Sequence, residues 1–298
     1  KPSRKTPVVE SGGSSVGKKG ACTGIGTEFI DIGNASSRMK TGELDVCAEQ
    51  GVEVTEIKVG YDGIVLASAR GAADLDLTRE QLWLALAAQV PNKAGDAFVP
   101  NYYKNWSDID ASLPNIAIRV MGPPTTSGTR ASWEEMVNEK GGCKQNEAAK
   151  AILKATGAKA KTCRPLRTDG AYVEAGEQDN LIVQKLQEDT SSYGVFGFSY
   201  LDQNADVLKA AAVGGVKPTF DAIADGDYPV SRDLYFYIKK AHVGVVPGVQ
   251  EYAREWTKHW GPDGILAESG MIPMSDEERE TYADAIENLP TLTADMLN

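Results

Sequence analysis

The sequence predicts an α/β protein of about two domains, and three observations carry that prediction. Short β-branched runs alternate with amphipathic helical patterns along the whole chain. Its 298 residues, 42% hydrophobic and 24% charged, suffice to bury two separate cores. No internal repeat, low-complexity tract or long Pro- or Ser-rich linker interrupts them, so any crossing between domains must use short segments.

In chain order, strands are expected over 7–10, 53–59, 63–68, 115–121, 194–200 and 228–239, where β-formers cluster between turn residues. Helices are expected over 79–90, 130–139, 146–155, 178–188 and 249–260 and at the C-terminus. Two starts are well marked: Thr78 with Gln81, and Ser275 with Glu278, are capping boxes, in which hydroxyl and carboxylate or amide satisfy each other's free backbone N–H. The segments 63–68 and 228–238 are candidates to pass between domains as extended chain.

Charge and cysteine usage narrow the function. Thirty-one Lys and Arg against 42 Asp and Glu leave a net charge of −11, which excludes nucleic acid as the main partner because a phosphate backbone demands a basic surface. The apolar stretch 82–90 is far below the roughly 18 residues of a membrane span, and no signal segment opens the chain, as expected of a mature processed form. The four cysteines fall in two well-separated pairs without a C-x-x-C motif, which fits local disulfides better than zinc. Pairing Cys22–Cys47 and Cys143–Cys163 implies an oxidising compartment; four buried thiols are the alternative, and four cysteines allow three connectivities.

Three segments, 10–19, 31–38 and 125–130, share one design: an extended run ends in Gly and small hydroxyl residues, and a helical pattern follows. Free N–H groups at a helix start attract an anion, Gly admits close backbone approach, and Ser or Thr adds neutral donors. None of the three is a nucleotide-binding P-loop or dinucleotide fingerprint, so a small oxyanion suits them better. Only His242 and His259 are available as bases, no G-x-S-x-G elbow surrounds a serine, and no metal-ligand spacing occurs, so neither catalysis nor a metal or other cofactor is expected. The acidic run 275–280 is a helix-start feature.

Taken together, Ser11-Gly12-Gly13-Ser14-Ser15, Asp31-Ile32-Gly33-Asn34-Ala35-Ser36, Ser127-Gly128-Thr129-Arg130, Gly194-Val195-Phe196-Gly197-Phe198 and Tyr228-Pro229-Val230-Ser231-Arg232-Asp233-Leu234-Tyr235 resemble the periplasmic phosphate-binding proteins that feed ABC-type phosphate importers. The blocks follow the family's order over nearly the whole chain. The resemblance implies a two-lobed Venus-flytrap fold of type II, each lobe a mixed sheet flanked by helices, closing on an anion in the cleft. It places lobe 1 at 1–66 and 230–298, lobe 2 at 67–229, and the hinge strands near 63–68 and 228–238.

Carried over position by position, the resemblance implies phosphate binding by Ser14 and Ser15 after the glycines, by Ser36, Ser37 and Arg38 in the second block, and by Ser127, Gly128, Thr129 and Arg130. Arg130 would offer a bidentate guanidinium. Hydrogen phosphate keeps a proton that sulfate lacks, so a carboxylate must accept it. Some relatives have Asp where this chain has Ser37, which leaves Asp62 as the expected acceptor, with an ordinary turn as its other role.

A second departure is larger, because nothing before Pro7 can form the strand, Gly-Ser-Ser-Thr-like loop and helix with which relatives begin. Either the start is trimmed or the anion is held with fewer donors. The resemblance further implies inorganic phosphate and a membrane-embedded ABC permease as partners, a monomer, and a periplasmic location after signal-peptide removal. Rival functions are capture of sulfate, molybdate or another oxyanion, a secreted phosphatase on the same scaffold, and an adhesion or signalling protein without ligand.

Overall fold

The computed structural model describes residues 7–10, 14–176 and 179–297. By compactness the chain forms two units, Lys1–Tyr61 with Arg232–Asn298, and Asp62–Ser231. The second unit is one continuous stretch, and the first is assembled from both ends of the chain.

The first unit opens with α1 (Ser14–Cys22), β1 (Ile32–Ala35), α2 (Thr41–Glu49) and the leading half of β2 (Val54–Ala69). The second unit takes up the rest of β2 and continues through β3 (Asp76–Leu77), α3 (Arg79–Leu86), β4 (Gln89–Pro91), β5 (Phe98–Pro100) and β6 (Val120–Gly122). There follow α4 (Gly128–Trp133), a π-helical stretch (Glu134–Cys143), α5 (Glu147–Thr156), β7 (Tyr172–Glu174), α6 (Asp179–Glu188), β8 (Tyr193–Gly197) and α7 (Phe198–Gln203). After β9 (Leu208–Ala210), β10 (Ala212–Val213) and α8 (Phe220–Ala224), the chain returns to the first unit on β11 (Ser231–Lys239). It ends with α9 (Val249–Thr257), α10 (Ile265–Glu268) and α11 (Asp276–Asn288).

In the first unit β1 runs antiparallel to β11, with Ile32 opposite Ile238 and Ala35 opposite Tyr235, and β11 neighbours β2. The core gathers Cys22, Ala35, Met39, Cys47, Val54, Tyr235, Tyr237 and Leu292, so residues from both chain ends interlock. Helix α1 lies directly on β1: a Cβ at Gly17 would collide with the Asn34 carbonyl, and one at Gly33 with the Gly17 carbonyl. Only glycine permits that approach of helix to strand. The Cys22–Cys47 disulfide ties α1 to α2.

In the second unit the trailing half of β2 is central, paired antiparallel with β8 (Ile64 to Gly197) and with β9 (Ala67 to Ala210). Strand β6 is parallel to both β8 and β7. Its apolar helical side includes Trp83, Ala87, Val90, Ala149 and the Cys143–Cys163 disulfide. The expected pairing of the four cysteines is therefore present.

Several expectations need correction. Residues 7–10 form no strand and are exposed, Val8 and Val9 almost fully so. The expected strands 53–59 and 63–68 are one strand, and Tyr61, between them, pairs with Ile272. The helix from Arg79 stops at Leu86, since Ala87 turns extended and the chain enters β4. Strand β8 ends at Gly197, and 198–203 is helical; the expected strand 115–121 contracts to β6. The pattern from Arg130 onward is helical but widens to π geometry after Trp133. The segment 31–38 carries β1 and a loop; the next helix begins only at Thr41, so Ser36 and Ser37 do not cap a helix.

Replacing Gly33 by Ala is expected to force α1 away from β1 and lower stability by about 1–3 kcal/mol, the usual cost of overpacking a close contact. Urea denaturation followed by circular dichroism measures it, and an unchanged midpoint would refute the packing role.

Candidate oxyanion site

In the first unit the contact of α1 with β1 brings two serines together. The Ser14 and Ser36 hydroxyl oxygens are 2.9 Å apart, and the Ser36 backbone N–H donates to Ser14 Oγ at 2.9 Å. Arg232, the first residue of the returning chain in this unit, donates from Nη1 to Ser36 Oγ at 2.8 Å. One hydroxyl proton serves the Ser14–Ser36 contact, whichever of the two oxygens donates it, while the Ser36 N–H and the Arg232 guanidinium occupy an acceptor position on each oxygen.

Two ion pairs hold the following loop. Lys18 is buried one helical turn beyond Ser14, and its Nζ meets Glu43 at 2.7 Å and Ser37 Oγ and the Arg38 carbonyl at 3.3 Å each. Burial pushes the Glu43 carboxyl up, but the Lys18 and Lys40 contacts outweigh it and hold the group below its ordinary 4.5. Arg38 turns to the buried Glu56, with Nε and Nη2 each 2.9 Å from Oε1. Glu56 Oε2 accepts from the Tyr237 hydroxyl at 3.0 Å, which in turn accepts the Met39 N–H at 2.6 Å. Arg38 is thus fixed with its charge answered by a carboxylate.

In the second unit Ser127 caps α4, its Oγ accepting the Thr129 N–H at 3.2 Å, and exposed Gly128 begins the helix. Arg130 is buried at 5% exposure and committed inward: Nε to Glu134 at 2.6 Å, Nη1 to the Pro123 carbonyl at 3.3 Å and to Glu174 at 3.5 Å. Its guanidinium also stacks 4.8 Å from the Tyr172 ring, whose hydroxyl burial pushes up to about 12. Arg130, Tyr172, Arg167 and Thr168 line an open concavity of about 310 Å³. Arg167 is fully engaged there by Asp169 at 2.8 and 2.5 Å and by two backbone carbonyls.

Of the residues expected from sequence, Ser14, Ser36 and Ser37 converge in the first unit, and Ser127, Gly128, Thr129 and Arg130 adjoin in the second. Ser15 is exposed on α1. Ser11, Gly12 and Gly13 lie outside the described residues. Asp62 is half-buried in the middle of β2 and forms no turn. Sequence reasoning missed Arg232 and Lys18 as parts of the cluster. Lys18 was findable, because positions four apart share a helix face. His242 is structural: its Nδ1 lies 2.6 Å from Asp31, and its Nε2 accepts the Gly26 N–H. Among the described residues no group of three His, Cys, Asp or Glu is placed to hold a metal, and no helix is long and apolar enough to cross a membrane.

Two α/β units, one continuous and one assembled from two stretches of chain, define the class of two-lobed binding proteins. The chain belongs to the PBP superfamily domain family, whose model matches residues 1–258. It is 27% identical over 273 residues to protein SphX of Synechococcus elongatus, covering 90% of this chain and 68% of that one. It is 25% identical over 289 residues to the phosphate-binding protein PstS of Staphylococcus saprophyticus, covering 95% and 77%. Among solved structures, a possible phosphate binding protein from Planctomyces limnophilus superposes with a TM-score of 0.70 at 25% identity, covering 91% of this chain and 84% of that one.

Replacing Lys18 by Met is expected to destabilise the protein by roughly 2 kcal/mol at neutral pH, less than for a fully buried pair because Glu43 is partly exposed. A carboxyl whose folded pKa is depressed stabilises above its unfolded value and loses that contribution as pH falls through the folded one. The difference between wild type and variant should therefore shrink below about pH 4.5. Denaturant titrations across pH 3–7 test this; a constant difference would refute the ion-pair role.

Proposed function

We propose that this chain binds inorganic phosphate reversibly, without covalent chemistry, and delivers it to an ABC-type importer outside the cytoplasm. The observation that carries this is the Ser14–Ser36–Arg232 cluster, in which the Ser36 hydroxyl lies 2.9 Å from that of Ser14 and 2.8 Å from the Arg232 guanidinium. The names of its relatives, the PstS phosphate-binding proteins of staphylococci and the possible phosphate binding protein of Planctomyces limnophilus, support the same ligand.

The proposed donors are Ser14, Ser36 and Arg232 in the first unit; in the second, taken by itself, Ser127, Gly128 and Thr129 at the start of α4 offer donors of the same kind. Neutral donors and backbone N–H groups favour an anion without the desolvation cost of several free cations. Arg130 and Arg38 act mainly as anchors, each already neutralised by a carboxylate, and any contact to the anion would use the remaining edge of the guanidinium. Asp62 is the proposed acceptor for the phosphate proton, which gives discrimination against sulfate. The chain crossings at 61/62 and 231/232 are the proposed hinge.

Calorimetry should show saturable binding of phosphate, undiminished by excess sulfate and only weakly dependent on salt, because the donors are fixed and local. Ser36→Ala should weaken binding about tenfold, since it removes a donor and strands the Arg232 contact. Tight competition by sulfate, or hydrolysis of a phosphomonoester, would refute the proposal.

A further inference from the structure

The residue preceding Asp62 is held more completely than a strand residue requires. The Tyr61 N–H donates to the Ile272 carbonyl at 2.8 Å, and the Ile272 N–H returns to the Tyr61 carbonyl at 2.9 Å. Gly60 lets this segment approach, because a Cβ there would lie 2.7 Å from both the Ile272 oxygen and the Met271 side chain. The buried Tyr61 hydroxyl donates to Glu278 Oε2 at 2.6 Å. Glu278 Oε1 holds Lys58 at 3.1 Å, and the Lys58 ammonium lies 4.1 Å from the centre of the Tyr61 ring.

Lys58 and Tyr61 are three apart on β2 and meet on one carboxylate, which the long, flexible Lys58 stem allows. Burial pushes the Glu278 carboxyl up, but Tyr61 and Lys58 bring it below its ordinary value, so it is the charged acceptor at neutral pH. A hydrogen bond to an ionised group is among the stronger ones.

Adjacent residues on an extended strand project to opposite faces, so fixing the phenol of Tyr61 fixes the direction taken by the next side chain. We propose that Tyr61 and Glu278 are positioning residues for Asp62, setting the aim of its carboxylate and hence the preference for protonated phosphate over sulfate. This rests on the assignment of Asp62 as the proton acceptor. Tyr61 and Glu278 themselves touch no ligand.

The test is a set of variants in the full chain, with phosphate and sulfate affinities measured by calorimetry. Tyr61→Phe and Glu278→Ala should each weaken phosphate binding about fivefold to tenfold, leave sulfate binding unchanged, and have no further effect once Asp62→Asn is present. Glu278→Gln, which keeps an oxygen acceptor for the phenol, should recover much of the loss. Equal losses with and without the Asp62 carboxylate, or wild-type affinity in both Tyr61→Phe and Glu278→Ala while Asp62→Asn is impaired, would overturn the positioning role alone. Unchanged phosphate preference in Asp62→Asn would overturn the acceptor assignment beneath it.

Discussion

The backbone contact between Gly17 and Gly33 is the constraint on which the first unit depends. Helix α1 can bring Ser14 to Ser36 only because neither residue at the crossing carries a side chain. Everything around that contact stiffens it: the Cys22–Cys47 disulfide anchors the far end of α1, and Lys18 fastens its inner face to α2 through Glu43. A disulfide closing a loop of this size restricts the unfolded chain by about 3 kcal/mol. The glycines were expected to admit a ligand to the backbone; Gly17 and Gly33 instead admit one element to another, and the hydroxyls are the surface that results.

Charge is arranged by the same economy. The chain is strongly acidic, yet buried Lys18, Arg130 and Arg167 and half-buried Arg38 are each answered locally: Lys18 by Glu43, Arg38 by Glu56, Arg130 by Glu134 and Glu174, Arg167 by Asp169. A buried cation without such a partner would be costly to fold around. Once paired, it contributes oriented N–H groups more than net field. An acidic protein can therefore present a place for a small anion without a basic surface, and its overall charge of −11 says little about that place.

What was legible in the sequence follows from which interactions are local. Capping boxes at Thr78 and Ser275 are local, and both are present. The serine and glycine blocks were recognisable in order, and the cysteines pair as their spacing suggested. The turn that was the alternative role for Asp62 is absent because Tyr61 is paired by Ile272, more than two hundred positions away, which no window of sequence reveals. Arg130 looked like a bare guanidinium for the ligand because Glu174, Pro123 and Tyr172 reach it only in the folded unit. Arg232 was hidden in a run of β-formers, its contact with Ser36 depending on a strand that returns from the other end of the chain.

That return has a consequence in time. The second unit lies wholly between Asp62 and Ser231, so its contacts are all available once that stretch has been synthesised. The first unit has no such moment until the end: β1 lacks its partner before Tyr235 and Ile238 exist, and Val54 waits for the backbone of Leu292. A chain shortened by even ten residues would leave the opening strand and helix without part of their core. Assembly of the Ser14–Ser36–Arg232 cluster is in this sense a late event, completed only when the chain returns to the first unit at Arg232.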